Sequence, residues 1–277
     1  MNGSSRNIRL WIQFDGTEFH GWQQQGTLRT VQSVLADAIG TMIGERPVVQ
    51  SSSRTDAGVH AMAMPVNFHC DKDLPLKAFW LGLNALLPPD LRVIRAEEVD
   101  TDFNARFEAV RKTYWYRVLS GRVALPLDRR NAWFVPEKSL DLGAMRTAAR
   151  CLVGEHDFSS FRAALCDAAS PVRRLYRLDI VAERPDLCRI EVEGSGFLRN
   201  MVRILAGTLV AVGRGRFPAE WVGEVLTARD RRLAGQTAPP HGLTLIEVMY
   251  PPPGTTRQDF WQVARLRIEE HGPLNDV

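Results

Sequence analysis

The residue best suited to chemistry is a single carboxylate, Asp56, in the segment SSSRTDAGVHA. It comes directly after a predicted strand, and the neighbouring Gly58 tolerates the unusual backbone conformations that functional loops use. A carboxylate in a cleft can act as a nucleophile or a base when a cation keeps it ionised. Arg54 is too close along the chain to be the obvious cation. Asp56 is therefore a candidate catalytic residue, although a turn aspartate that bonds its own backbone gives the same local pattern.

A pair of tyrosines in the segment RKTYWYRV is the second candidate. Tyr114 and Tyr116 alternate along a predicted strand, so both project from the same face. A tyrosine in a cleft can stack on a base or relay a proton. Core packing accounts for either one equally well.

The segment GSGFLRNMVRILAGTLVAVGRG supplies a candidate cation. It lacks the ending of a phosphate-binding P-loop, and its apolar spacing predicts a helix over 197–213. Arg199 and Arg203 are four residues apart, which predicts that they share one face of that helix. We expect Arg203 to form a bidentate ion pair with Asp56, because a buried arginine needs a carboxylate and the pair would keep the acid ionised.

The elements that must position these residues form two similar series. In the first, strands are predicted at 8–14, 47–53, 65–70 and 91–99, and helices at 31–44, after the cap Thr30, and at 76–87. In the second, strands are predicted at 114–120, 174–183, 187–194 and 244–250, and helices at 140–154, 197–213 and 218–228.

This order predicts an α+β fold. Two similar α+β halves, 1–105 with Asp56 and 106–250, would join into a mixed, mostly antiparallel sheet with helices on one face and a central cleft at the seam. The tail 251–277 could contain a surface helix at 258–270, to which we assign no function.

Composition limits the class of protein. The chain has 277 residues, 45% apolar and 24% charged, which is typical of a globular protein. We find no secretion signal, and the longest apolar run carries Arg203, so no membrane span is expected. The four cysteines form no CxxC pair and the six histidines show no ligand spacing, so we expect no metal site. Scattered thiols suit a reducing compartment and predict a cytoplasmic protein.

Charge is unevenly distributed along the chain. Residues 101–216 contain 20 basic and 13 acidic side chains, a net charge of +7, while the whole chain has a net charge of +3. Such a segment is typical of a protein that binds a polyanion such as nucleic acid, although a solvated surface of mixed charge gives the same counts.

Six segments in order carry a family resemblance. FDGTEFHGWQQQ, SRTDAGVHA, FNARFEAVRKTYWYRV, HDFSSFRA, GFLRNMVR and APPHGLTL resemble the TruA family of tRNA pseudouridine synthases, over about residues 8 to 250. The resemblance implies that Asp56 is the nucleophile that isomerises uridine, that Tyr114 lies against the target base and that Arg203 pairs with Asp56. It also implies that Arg54 takes the space of the flipped nucleotide.

The reaction that the resemblance implies involves no redox change and requires no cofactor. Whether Asp56 attacks C1′ of the sugar, attacks C6 of the base or removes a sugar proton stays open. For Tyr114 we favour stacking, because a tyrosine with an ordinary pKa is a poor base.

The implied substrate is tRNA, at uridines 38 to 40 of the anticodon arm, and the implied assembly is a homodimer. Flipping out the target base would require contacts to the RNA backbone. The predicted contacts are Arg54, Arg111, Lys112, Arg117, Arg129, Arg130, Arg173, Arg174 and Arg199. An alternative from another class is a non-catalytic RNA-binding protein that uses the same cleft. A carboxylate glycosidase would need a second acid placed across the bond that breaks, a role that we assign to no residue of these segments.

Overall fold

The computed structural model describes residues 5–164, 166, 168–252, 254–255 and 257–259. The chain divides into two units. The first extends to Val110 and resumes at Leu245, and the second is Arg111–Thr244. These bounds differ from the predicted halves 1–105 and 106–250, most clearly in the placement of the last strand. That the halves are related, that they enclose a cleft and that all helices share one face stay predictions. Most of the helix predicted at 258–270 lies outside the described residues.

The first unit is built on four main strands. Its elements are β1 (Arg6–Phe14), α1 (Val31–Ile43), β2 (Gln50–Ser51), β3 (His60–Cys70), α2 (Leu83–Leu86), β4 (Leu91–Val99) and most of β10 (Leu243–Met249). The strand order is β4–β1–β3–β10, and β2 pairs with β3. The pairs β1–β3, β1–β4 and β2–β3 are antiparallel. Asp56 lies in the connection from β2 to β3, so both strands anchor it.

Local signals explain the helices of this unit. Thr30 caps α1 as predicted: its hydroxyl accepts a hydrogen bond from the Ser33 backbone, and the Ser33 side chain bonds the Thr30 amide in return. The helix predicted at 76–87 is present in part, as a π-helical turn over Ala78–Gly82 that continues into α2. Phe79 in that turn packs edge-on against Phe68 of β3, which holds the turn on the sheet.

The second unit contains β5 (Arg111–Ser120), β6 (Trp133–Val135), α3 (Leu142–Arg150), β7 (Gly154–Asp157), β8 (Val172–Arg184), β9 (Leu187–Gly194), α4 (Met201–Gly213) and α5 (Trp221–Ala228). The strand order is β5–β9–β8–β7, all antiparallel, and β6 pairs in parallel with β5. The predicted α+β class is confirmed. The short strands β6 and β7 were not predicted.

The start of α4 corrects one prediction. The helix begins at Met201 and not at 197, because Asn200 adopts the left-handed conformation with a φ of 61°. Arg199 therefore lies in a turn before the helix, so the prediction that it shares a helix face with Arg203 is wrong. Among the described residues, no helix has both the length and the apolar character needed to cross a membrane.

Candidate active site

The loop that carries Asp56 is fastened to the segment 15–22. The Trp22 amide donates to the Thr55 carbonyl at 3.0 Å, and the Gly58 amide donates to the Phe19 carbonyl at 3.3 Å. A third bond closes the turn itself, from the Val59 amide to the Asp56 carbonyl at 3.2 Å. Asp56 as a whole is half-buried. The backbone on both sides of this residue is thus fixed while the residue remains partly exposed.

Gly21 is the point of closest approach between the two segments. Its φ is +85°, and a Cβ atom there would lie 2.8 Å from the Thr55 carbonyl oxygen and 3.1 Å from the Asp56 carbonyl carbon. Real Cβ atoms essentially never come within 3.0 Å of such an atom. Only glycine satisfies both the conformation and the contact. This glycine therefore permits the docking of the Asp56 loop.

The segment 15–22 is in turn held in place by Arg29, which lies outside it. The Arg29 guanidinium makes a bidentate ion pair with Asp90, at 2.9 and 2.8 Å, and lies 4.0 Å above the ring of Phe19. The amide of His20 donates to the Arg29 carbonyl at 2.9 Å. The support for Asp56 thus extends to α1, which begins two residues after Arg29.

The two tyrosines of β5 have different surroundings. Tyr116 is fully buried, and its hydroxyl donates to the Pro239 carbonyl at 2.8 Å. Burial raises the pKa of Tyr116, and the nearby charge of Arg203 opposes that rise. Tyr114 is also buried and meets Phe197 edge-on, with 5.2 Å between ring centroids. Tyr116 is therefore a structural residue, while Tyr114 presents a packed aromatic ring.

Arg203 is oriented by a segment that we call the strap, residues 235–239. Its Nε donates to the Ala238 carbonyl at 2.8 Å, and the Ala238 amide donates to the Arg203 carbonyl at 3.1 Å. Its Nη1 donates to Oδ1 of Asn200 at 3.2 Å. Asn200, in its left-handed conformation, thus has its side-chain amide within hydrogen-bond distance of the guanidinium. Two side-chain bonds fix the plane of this cation before any substrate arrives.

The strap lies directly on α4. A Cβ atom on Gly207 would overlap the carbonyl oxygen of Gln236, and the Gly235 amide donates to the hydroxyl of Thr208 at 3.0 Å. Gly207 is one helical turn from Arg203. The glycine opens the space that the strap fills, and the strap then bonds the arginine.

The other predicted basic residues fall into two groups. Arg54 and Arg199 are exposed and Lys112 is half-buried. Arg111, in contrast, is 7% exposed, donates to Glu193 at 2.9 Å and lies 4.7 Å above the ring of Tyr176. A side chain this buried and already paired is poorly placed to contact a phosphate.

The remaining arginines are also divided between paired and exposed side chains. Arg117 is paired with Glu183, and Arg174 lies 3.4 Å from Glu155. Arg173 is half-buried and donates to the Ser170 and Val172 carbonyls, and burial lowers its pKa. Arg129 and Arg130 are exposed. Within the described ranges, no three His, Cys, Asp or Glu side chains come together closely enough to hold a metal ion.

Sequence reasoning missed Gly21, Asn200 and the strap. A signal existed for Gly21, because a glycine between two bulky residues in FHGW suggests a backbone constraint. Nothing comparable marks Ala238, which contributes only its backbone.

Known proteins resemble this chain over most of its length. A family model described as tRNA pseudouridine synthase matches residues 10–108 and 148–251, which include Asp56 and Arg203 but not Tyr114. A tRNA pseudouridine synthase A from a Geobacter species is 49% identical over 247 residues, covering 89% of this chain and 99% of the relative. The proteins of that name from Citrifermentans bemidjiense and Myxococcus xanthus are 48% and 47% identical, over 88% of this chain and over 98% and 91% of their own lengths.

Proposed function

Because the chain belongs to the tRNA pseudouridine synthase family, we propose that Asp56 is the nucleophile with which it isomerises uridines 38 to 40 in the anticodon arm of tRNAs. The enzyme is an isomerase that converts uridine to pseudouridine in tRNA. The observation that carries the proposal for Asp56 is its loop, whose backbone is fixed to the segment 15–22 while the residue stays partly exposed. Fixed placement of a reacting group is a large part of catalysis.

The reaction breaks the bond from N1 of uracil to C1′ of the ribose, rotates the base and joins C5 to C1′. The proton on C5 is lost and N1 gains one, so electrons and protons balance without an oxidant, and the proposal includes no cofactor. Asp56 could act on C1′, on C6 or on a sugar proton. Each route needs an ionised carboxylate, and we propose Arg203 as the cation that keeps it so. The two bonds that orient the guanidinium support this role.

We assign Tyr114 the role of a wall against the target base. Its edge-on contact with Phe197 fixes the ring, and stacking of an aromatic ring on a pyrimidine needs no change in protonation. The phosphate contacts that we propose are the exposed Arg54 and Arg199 and the half-buried Lys112, because their cations suit ionic contacts to the RNA backbone. Arg54 would also occupy the space that the flipped nucleotide leaves. We omit Arg111, because it is buried and paired with Glu193.

The homodimer and the cytoplasmic location are also proposals. The dimer rests on family resemblance. The location is supported by the four cysteines, Cys70, Cys151, Cys166 and Cys188, all of which are free thiols.

Release of tritium from tRNA labelled at C5 of uridine tests the chemistry. Wild-type protein should release the label and Asp56→Asn should not, while Asp71→Asn, which changes an exposed acid of the same unit, should behave as wild type. Release by Asp56→Asn would remove this carboxylate from the mechanism. Binding of tRNA without release by wild type would instead favour the non-catalytic RNA-binding protein. Substrates with cytidine at positions 38 to 40 test the site of modification, since they should release no label from the arm.

A further inference from the structure

His60 is a buried titratable residue that the proposed chemistry does not use. It is the first residue of β3 and is 7% exposed. Its Nδ1 accepts a hydrogen bond from the Gly16 amide at 3.0 Å. A ring nitrogen that accepts an N–H bond carries no proton, so this bond requires the tautomer with its hydrogen on Nε2.

The same Nδ1 lies 3.2 Å from Oδ1 of Asp15, which would be an ion pair only if the imidazole were protonated. That carboxylate oxygen already accepts bonds from the Thr17 amide at 3.0 Å and the Thr17 hydroxyl at 2.5 Å. Asp15 is thus also bonded within its own turn. We therefore take the bond from Gly16 as the defining contact of the ring.

The contact between His60 and Gly16 lies next to the Asp56 turn. A Cβ atom on Gly16 would overlap the carbonyl oxygen of Val59, so the two backbones touch. Three residues further along, the Phe19 carbonyl accepts from the Gly58 amide. Two hydrogen bonds therefore join the stretch 16–19 to the stretch 58–60. Together they form a clamp directly after Asp56, whose carbonyl bonds the Val59 amide.

We propose that His60 is a positioning residue for the isomerisation: its imidazole holds Gly16, and through the clamp it fixes the backbone at Asp56. The inference rests on the proposed role of Asp56. An apolar side chain at this position would fill the space but leave the buried Gly16 amide without a partner. The stretch 16–19 would then shift to find another acceptor, and the Asp56 turn would follow it.

Two isosteric variants test the proposal. Leucine and asparagine both branch at Cγ, and asparagine carries Oδ1 where histidine carries Nδ1. We expect His60→Leu to lower kcat for tritium release by about 10- to 100-fold with KM within about two-fold of wild type, since a displacement near 1 Å costs this much. His60→Asn should recover most of the loss. Equal losses in the two variants, or a wild-type kcat in His60→Leu, would overturn the proposal. So would an effect on KM alone, because that would indicate a contact with RNA.

Two controls distinguish a failure of folding, and a failure of the proposed function of Asp56, from a failure of the role of His60. If His60→Leu is too unstable to assay, His60→Asn decides: a folded variant with kcat within about three-fold of wild type supports the proposal, and a loss beyond ten-fold contradicts it. Asp56→Asn is assayed alongside. Activity in Asp56→Asn refutes the proposed nucleophile, whereas an inactive Asp56→Asn beside a fully active His60→Leu refutes only the role of His60.

Discussion

Replacing Gly21 by alanine tests whether contact with the Asp56 loop matters for catalysis. The chain offers a matched control in Gly44, the residue that ends α1. The two glycines have φ values of +85° and +87°, but a Cβ atom on Gly44 would meet nothing within 4 Å. Both substitutions therefore carry the same backbone strain, about 1–2 kcal/mol for an L-residue in the left-handed region. Only Gly21→Ala adds a collision.

The collision can be assigned a magnitude. The new Cβ would lie 2.8 Å from the Thr55 carbonyl oxygen, a backbone atom that must shift by several tenths of an ångström. Overpacking of this kind costs about 1–3 kcal/mol. We therefore expect Gly44→Ala to lower the free energy of unfolding by about 1–2 kcal/mol and Gly21→Ala by about 2–5 kcal/mol. Because the shift is transmitted to Asp56, kcat should fall about 10- to 100-fold in Gly21→Ala and stay at the wild-type value in Gly44→Ala.

Urea unfolding measures the free energies of unfolding of the two variants, and tritium release at saturating tRNA measures their kcat values. The assay temperature must lie below the unfolding transition of both variants. A folded Gly21→Ala with wild-type kcat would refute the reasoning, as it would show that the Asp56 loop tolerates displacement. An equal loss of kcat in Gly44→Ala would refute it as well, because strain and not contact would then be responsible.

The remaining predictions concern the second unit. Arg203→Leu should retain tRNA affinity and lose turnover; loss of affinity alone would show that Arg203 serves phosphate. Tyr116→Phe should lower the free energy of unfolding by about 1 kcal/mol, because the Pro239 carbonyl loses its donor, and leave kcat unchanged. Burial holds the pKa of Tyr116 above its ordinary value of 10.0, so above that pH the unfolded chain loses the proton first and stability falls as pH rises. Alkaline unfolding should show a smaller slope in Tyr116→Phe, and an unchanged slope would contradict this. Lys112→Ala should reduce the salt dependence of tRNA binding by about one charge, whereas Arg111→Met should destabilise the fold without changing that dependence.

Much of the fold could be predicted because its signals are local. Thr30 and the apolar spacing after it define α1, and the strand 91–99 was predicted with the bounds that β4 has. Short elements are harder to predict. The three residues of β6 are too few for a period of two to be distinguished from chance, and β6 depends on pairing with β5.

The site could be predicted only in part, for a related reason. The residue types at positions 56, 114 and 203 suggest chemistry on their own, whereas the surroundings of a residue depend on distant partners. Arg111 looks like a surface cation in RKTYWYRV, but its partner Glu193 is 82 residues away in sequence. Arg199 appeared helical because FLRNMVR continues the apolar spacing of α4. The turn at Asn200 is accompanied by contacts such as the hydrogen bond from Arg203 to the Asn200 side chain, which the spacing of apolar residues does not encode.

The strap has a consequence for where the chain can change in length. Residues 235–239 contain no regular secondary structure and lie between two 3-10 turns. Connections of this kind usually accept insertions. Here the strap is attached to α4 at two points, Gly235 to Thr208 and Ala238 to Arg203. The attachment points are three positions apart in the strap and five positions apart in the helix. One added residue would put these points out of step. Leu127, in the connection after β5, is 92% exposed, so a reporter peptide is better placed there than in the strap.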